Sequence, residues 1–313
     1  MILDLCIGLK EPENCSKRTG LVEIKRKRMV KQKSGKQKRK FQVSNGYLLQ
    51  FDQLARVLNF MAENVTVKKI GRKELGNNTG LSNRQIESLV SVGSAMGLIV
   101  SGKQTLSIVG RVIVRHDIFI EGKGTLEWCH YIGAGSYRNL IWHEIFNQIL
   151  PNEQAKTQEG WMEYLRNAFA GKYTDRTIGK HLYEEVRFVV DAYLNRNFKR
   201  LELLHQTPDG ILYRRRYTNL DPLVFSAMLY DYGLKQGTNV LQVVDLVRTE
   251  GTPGILFAMD EATLRHLVED LHQHGWVRYE GTHNLDQIRL KEDFRALDFL
   301  TAYYKGADPQ PSG

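Results

Sequence analysis

The chain has 313 residues, and its 44 lysine and arginine residues outnumber its 35 aspartate and glutamate residues, which gives a formal net charge of +9 at pH 7. Apolar residues make up 42% and charged residues 25%, which is typical of soluble globular domains and excludes an acidic disordered protein. At roughly 100 to 200 residues per domain, this length predicts two or three domains.

Three features of the sequence predict a cytoplasmic protein without a membrane partner. No apolar run approaches the ~18 residues that a membrane helix needs. The sequence begins with Met-Ile-Leu-Asp, which lacks the cationic start and the apolar segment of a signal peptide. The three cysteines include no CxxC pair, which argues against a disulfide framework and a structural zinc site and indicates a reducing compartment.

The basic excess lies in one segment near the N-terminus. Twelve basic residues and one acidic residue, Glu23, lie between Lys17 and Lys40, so this segment carries +11 and the rest of the chain −2. We expect residues 1–40 to form a flexible arm that neutralises the phosphates of a nucleic acid. The alternative is a solvated tail that only keeps the protein soluble. The cations expected to contact DNA are Lys25, Arg26, Lys27, Arg28, Lys31, Lys33, Lys36, Lys38, Arg39 and Lys40.

Three helices and a hairpin are predicted in residues 41–118. Apolar residues at three- and four-residue spacing predict the first helix. Ser82 and Gln85 form the pattern of a capping box, which starts the third helix. This order of elements is that of a winged helix-turn-helix. The predicted elements are helices at 49–64, 72–75 and 82–97 and strands at 98–100 and 105–108.

In a winged helix-turn-helix the third helix enters the major groove of DNA, and its N-terminal residues contact base edges. We expect Lys103, at the tip of the hairpin, to contact a phosphate. The alternative is that this domain packs against protein, because a fold does not fix a function. The residues expected to contact bases are Asn83, Arg84 and Gln85, with Glu87 and Ser88 as further candidates.

The middle of the chain, residues 119–205, is predicted to be helical. Apolar stripes there occur at 125–131, 140–150, 161–170 and 177–194. We interpret His130 and His143 as buried histidines of the core, because their neighbours in the sequence are aromatic. Beyond this region, Arg214, Arg215 and Arg216 follow a predicted strand, and two interpretations are open: they contact phosphate, or they pair with the acidic residues Glu184 and Glu185.

Residues 206–305 predict a second winged domain, and residues 306–313 a short tail. Asp260 is a suitable N-cap, and Gly275 suits the position after the helix end. Two strands, at 276–280 and 287–290, follow. The helix is acidic, so we expect it to pack on protein rather than on DNA. The predicted fold class is therefore mainly α (α+β), with winged helix-turn-helix modules at both ends of a helical middle region.

Several local sequence patterns, in their order along the chain, resemble the prokaryotic family catalogued as domain of unknown function 4007. The resemblance covers about residues 41–300. The arm before Phe41 lies outside it. The patterns are GLI at 97–99, LSIVG at 106–110, DIFIE at 117–121, TLEWCHY at 125–131, IWHEIFN at 141–147 and THNLDQI at 282–288.

This resemblance implies an accessory DNA protein of bacterial defence loci that carry DNA phosphorothioation genes. Members of the family include the B component of the Ssp systems, to which DNA nicking is attributed. The resemblance therefore implies DNA and other proteins of the modification system as partners. It implies a place in a pathway and no mechanism.

A metal-dependent nickase needs carboxylates that bind a metal ion, such as Mg²⁺ or Mn²⁺, and a nearby lysine. Asp117, Glu121 and Lys123 offer this combination, with His116 as a base, and a second set surrounds Glu23 and Lys25. The alternative interpretation is structural, because short acid-x-Lys patterns are common by chance. The sequence does not identify the metal. Neither GxxxxGK[ST] nor GxGxxG follows a predicted strand, which argues against an ATPase.

The sequence thus predicts a DNA-binding protein of a phosphorothioation-linked defence system, and DNA nicking is a candidate activity. One alternative is a non-enzymatic transcription regulator, which as a homodimer would bind a palindromic operator and leave it intact. Another is a scaffold that holds modification enzymes together through the acidic C-terminal helix.

Overall fold

The computed structural model describes residues 39–153, 156–282 and 285–312, and most of these residues lie in helices. Three small antiparallel sheets, of two, two and three strands, accompany the helices in these ranges. The fold is therefore mainly α-helical and of the α+β class, as predicted. Residues 39–313 form one compact unit, and the predicted domain boundaries inside it stay predictions. Within the described ranges no helix is long and apolar enough to cross a membrane.

The N-terminal elements follow the predicted order. The capping box is confirmed, because Ser82 Oγ accepts a hydrogen bond from Gln85 N at 3.3 Å and Gln85 Oε1 accepts one from Ser82 N at 3.0 Å. The elements are helix α1 (Phe51–Glu63), helix α2 (Arg72–Thr79), helix α3 (Asn83–Ala95), strand β1 (Ile99–Val100) and strand β2 (Thr105–Leu106), which pairs with β1.

Helix α2 is longer than predicted. Its Gly-Asn-Asn sequence favours the end of a helix, but side chains bond to the backbone there. Asn78 Nδ2 donates to Glu74 O at 2.8 Å, and Thr79 Oγ1 donates to Leu75 O at 2.6 Å. The helix ends where Gly80 adopts a φ of +69°, which glycine accepts without strain.

Helix α4 (Ile108–His116) begins where the second strand of the hairpin was predicted to continue. Ser107 Oγ accepts a hydrogen bond from Gly110 N at 2.8 Å and so caps this helix. A Cβ atom at Gly110 would lie 2.1 Å from Leu98 O, so the close packing of α4 on the hairpin requires glycine.

The middle of the chain is helical, as predicted. His130 is a core histidine, because its side chain is fully buried with Nδ1 2.5 Å from Tyr193 OH and Nε2 3.1 Å from Leu256 O. The elements are α5 (Lys123–Gly135), α6 (Leu140–Glu144), a π-helical turn (Ile145–Ile149), α7 (Leu150–Asn152), α8 (Gln158–Phe169), α9 (Asp175–Leu194), a 3₁₀ helix (Asn197–Leu201) and the paired strands β3 (His205–Gln206) and β4 (Leu212–Tyr213).

The basic cluster after β4 packs on the C-terminal part of the chain. Arg214 Nη1 donates to Ile255 O at 2.7 Å. Arg216 Nη2 lies 2.7 Å from Asp260 Oδ2. The ion pair of Arg216 is therefore with Asp260, and not with the acidic residues of α9.

The C-terminal elements form a three-stranded sheet against helices. Its strand order is β5-β7-β6, with both pairs antiparallel. The N-cap is confirmed, since Asp260 Oδ1 accepts a hydrogen bond from Thr263 N at 2.8 Å. The elements are α10 (Pro222–Gln236), β5 (Val240–Gln242), α11 (Val243–Arg248), α12 (Pro253–Leu256), α13 (Glu261–Gln273), β6 (Val277–Thr282), β7 (Leu285–Leu290) and α14 (Ala296–Lys305).

Candidate nucleic-acid interface

The first turn of α3 is its most exposed part. Ser82, Asn83 and Arg84 are exposed, whereas the side chain of Gln85 is partly buried. The amide of Gln85 is occupied by the capping box and by a 3.4 Å bond to Gln53 Oε1. Of the three side chains predicted to contact bases, Asn83 and Arg84 are therefore free to reach a partner, and Gln85 holds the helix start.

The N-terminal segment, residues 40–44, covers the middle of α3. Ser88 is buried, and its Oγ donates to Ser44 O at 2.5 Å. Ser91 Oγ donates to Val43 O, and Lys40 Nζ donates to Ser91 Oγ at 2.5 Å. The further candidate Ser88 is thus inaccessible to DNA in this structure, because backbone of the N-terminal segment lies over it.

Glu185 on α9 fixes the N-terminal segment in this position. Its carboxylate accepts hydrogen bonds from Val43 N at 2.9 Å, from Ser44 N at 3.0 Å and from Ser44 Oγ at 2.6 Å. The side chain is buried, and this burial raises the pKa of Glu185. Burial has the opposite effect on the nearby cation, because it lowers the pKa of Lys40. Three donors on one buried carboxylate make this segment a fixed part of the fold.

Arg39 is also held inside the folded unit. Its guanidinium lies 2.8 Å from Glu144 Oε1, and its Nε donates to Tyr137 O at 3.0 Å. Nη2 is 3.5 Å from His143 Nδ1, and burial together with Arg39 lowers the pKa of His143 to about 4, which leaves this histidine neutral near pH 7. The predicted DNA contacts Arg39 and Lys40 thus both have partners within the protein.

The other predicted cations of the arm lie outside the described residues, as does the set around Glu23. These cations are Lys25, Arg26, Lys27, Arg28, Lys31, Lys33, Lys36 and Lys38.

A second group of cations lies next to the hairpin, and sequence reasoning singled out only one of its members, Lys103. Lys68, Lys69 and Lys73 are exposed before and within the start of α2, and Lys103 is exposed at the tip of the hairpin. Ile70 N donates to Lys103 O at 3.0 Å, so the loop before α2 and the hairpin tip are neighbours. We call these four lysines the basic edge. The sequence signal was present as the run VKKIGRK at 67–73.

The residues predicted to be catalytic have separate partners in the structure. Asp117 accepts hydrogen bonds from Glu121 N at 3.0 Å and from Gly122 N at 2.8 Å, so its carboxylate stabilises the loop before α5. Glu121 lies 3.5 Å from Arg200 in an exposed ion pair. The ring of His116 stacks on Tyr304 with centroids 5.2 Å apart.

Lys123, the fourth of these residues, reaches the buried carboxyl of Glu127. Its Nζ is 3.7 Å from Glu127 Oε1 and also bonds to Asn219 O. Tyr217 OH donates to Glu127 at 2.7 Å. Burial raises the pKa of Glu127 to about 7, and the bond from Tyr217 and the charge of Lys123 offset only part of this effect. Among the described residues, no group of three or more His, Cys, Asp or Glu is placed to hold a metal ion.

The loop between α4 and α5 borders an open cleft of about 640 Å³, whose other walls are the start of α1 and the 3₁₀ helix. Phe119 and Glu121 line it from the loop, and Arg196, Lys199 and Arg200 line it from the 3₁₀ helix and the residue before it. Of the four predicted catalytic residues, Glu121 lines this cleft and His116, Asp117 and Lys123 do not.

Comparison with known proteins assigns the chain to a family. Residues 91–304 match the family described as a protein of unknown function, DUF4007, over more than half of the chain. The protein belongs to the DUF4007 family. The resemblance noted in the sequence is thereby confirmed. No curated protein matches the chain.

Two solved structures have the fold of this DUF4007 protein. They are a magnesium ion-bound SspB crystal structure and a further SspB crystal structure. Each shares 13% sequence identity with this chain, and the TM-score is 0.63. The matched region covers 86% of this chain and 89% of the SspB chain. At this identity the similarity establishes a common fold. The sequence match to DUF4007 begins after the first turn of α3, and it includes Phe119, Glu121 and the 3₁₀-helix wall of the cleft but not the wall formed by the start of α1.

Proposed function

We propose that this DUF4007 protein binds duplex DNA with the first turn of α3 and the basic edge, which together act as a winged helix-turn-helix. The observation that carries the proposal is the hydrogen bond from Ile70 N to Lys103 O, which joins the basic loop before α2 to the tip of the hairpin that follows α3. Cations on this edge would contact phosphates, and Arg84 would contact base edges. The three-stranded C-terminal unit has the element order of a second winged helix, and its acidic α13 suits a protein partner.

The test of duplex binding is a titration over salt. The triple variant Lys68→Ala, Lys69→Ala, Lys73→Ala should lower the slope of log affinity against log salt by about 2 to 3, because each phosphate contact contributes about 0.9. Arg84→Ala should instead reduce discrimination between sequences, by about 1 to 3 kcal/mol at the preferred base pair. Lys180→Ala, an exposed lysine of α9, is the matched control. An unchanged slope in the triple variant would refute this interface.

We further propose that the protein works beside other proteins of a phosphorothioation-linked defence system. The family resemblance supports this role, and the similarity to SspB is consistent with it. Copurification with a sulfur-transfer or ATP-hydrolysing protein is the expected result. A homodimer on a palindromic operator, with no cleavage, would favour the alternative of a transcription regulator.

DNA nicking is the second candidate activity, and the magnesium ion in one SspB structure favours it. Supercoiled plasmid with Mg²⁺ or Mn²⁺ should then yield open circles. Glu121→Gln tests the carboxylate that borders the cleft, with little risk to the fold because its ion pair with Arg200 is exposed. Nicking that persists in Glu121→Gln would place the chemistry at other residues.

A further inference from the structure

The loop between α4 and α5 holds an aromatic ring in solvent. Phe119 is 56% exposed, whereas its neighbour Ile120 is fully buried. Ile120 adopts a φ of +54°, which is unfavourable for a β-branched residue. Such a conformation persists only where surrounding contacts fix it, and it occurs preferentially at functional sites.

Two polar side chains fix the loop in this conformation. Asn197 Nδ2 donates to Phe119 O at 3.0 Å and to Ile120 O at 2.8 Å. Asp117 accepts bonds from the two amides that follow Ile120, those of Glu121 and Gly122. The backbone that carries the exposed ring of Phe119 is therefore fixed from the Phe119 carbonyl to the Gly122 amide.

The charged residues that line the cleft beside Phe119 are three cations and two acids. The cleft beside it is lined by Arg196, Lys199 and Arg200 and by side-chain amides, with Asp52 and Glu121 as acidic members. Arg200 is paired with Glu121, and Arg196 is paired with Asp191 at 2.8 Å. Lys199 is exposed and makes no ion pair within the described part of the chain. Aromatic anchors of protein interfaces lie in apolar patches, whereas an aromatic ring among cations is typical of single-stranded nucleic-acid sites.

We propose that Phe119 is a stacking platform for an unpaired nucleobase and that Lys199 binds a neighbouring phosphate in the cleft. The ligand class is single-stranded or locally unpaired DNA. The ring offers a π-face to any base, so stacking would be tolerant of sequence. The inference rests on the proposed function only in taking DNA as the polymer, because the cleft and the duplex interface share no residue.

The experiment uses the full chain and a short oligodeoxythymidine that carries one 2-aminopurine, whose fluorescence is quenched when it stacks. Wild-type protein should quench the probe. Phe119→Ala and Phe119→Leu should not, and Phe119→Ala should weaken binding of the strand by about 5- to 150-fold. Phe119→Trp should retain quenching. Lys199→Ala should retain quenching and lower the salt slope by about 0.7, the value for one phosphate of a single strand.

Tyr183→Ala is the matched control, since Tyr183 is 52% exposed on α9 and does not line the cleft. Loss of quenching in Phe119→Ala with unchanged duplex affinity supports the inference. Quenching that persists in Phe119→Ala, or that wild-type protein lacks, overturns it. If wild-type protein quenches the single strand but does not bind duplexes, the inference stands and the proposed duplex function fails.

Discussion

At the scale of single residues, Glu127 makes the stability of the fold depend on pH. Its folded pKa is raised from 4.5 to about 7 because its carboxyl is buried. Between these two values the folded protein keeps a proton that the unfolded chain has lost, so the stability falls as the pH rises through this window. The shift corresponds to about 3 kcal/mol of unfolding free energy that is present below pH 4.5 and lost above pH 7.

We therefore expect Glu127→Gln to be more stable than the wild type at pH 8 by about 1 to 3 kcal/mol and nearly equal to it at pH 4.5. The amide keeps an acceptor for Tyr217 but never becomes a buried charge. Thermal unfolding at several pH values measures this difference. Glu163→Gln, at an exposed position of α8, should show no such trend. A difference between Glu127→Gln and wild type that does not change with pH would contradict the assignment.

The residue scale also shows why the candidate site was only partly predictable. The spacing of Asp117, Glu121 and Lys123 identifies carboxylates and a cation that are near in sequence. It does not show that the first carboxylate is taken by backbone amides and that the lysine points toward Glu127. Phe119 was part of a recognised pattern, but its exposure depends on the backbone of Ile120 and on Asn197, which is distant in sequence.

At the scale of elements, the sequence predicted the structures that depend on neighbouring residues and missed those that depend on contacts between distant residues. Helix α3 and its cap followed from Ser82 and Gln85, because a capping box satisfies its own donors within four residues. Strand β5 was not predicted, because three residues give no periodicity and its pairing with β7 joins positions far apart. The cover over Ser88 was not predicted either, since it depends on Glu185 of α9.

The cap of α3 provides a prediction at this scale. Ser82→Ala should lower the unfolding free energy by about 1 kcal/mol and should fray the first turn that carries Asn83 and Arg84. Ser82→Asp, which keeps an acceptor for the free amides, should restore most of the stability. Urea unfolding measures the loss, and amide hydrogen exchange in residues 83–86 locates it. Unchanged exchange in these residues would show that packing alone holds the helix start.

At the scale of the whole molecule, the cations proposed to bind DNA form two groups, the N-terminal segment and the basic edge. The segment from Lys17 to Lys40 carries +11 against −2 for the rest of the chain. Arg39 and Lys40 have partners in the folded unit, so the DNA contacts proposed for this segment fall to its cations before residue 39. The basic edge lies outside that segment of the sequence, so under the proposed duplex binding both groups of cations would release counterions.

Deletion of residues 1–38 tests this division and leaves the contacts of Arg39 and Lys40 in place. We expect lower duplex affinity and a smaller salt slope, with each lost phosphate contact worth about 0.9, while the preference for one sequence persists because Arg84 remains. A variant in which the lysines and arginines of residues 17–38 are replaced by glutamine should behave like the deletion, and one with their order scrambled should behave like the wild type. If the deletion leaves the salt slope unchanged, the N-terminal charge serves another purpose, and the basic edge must account for DNA binding alone.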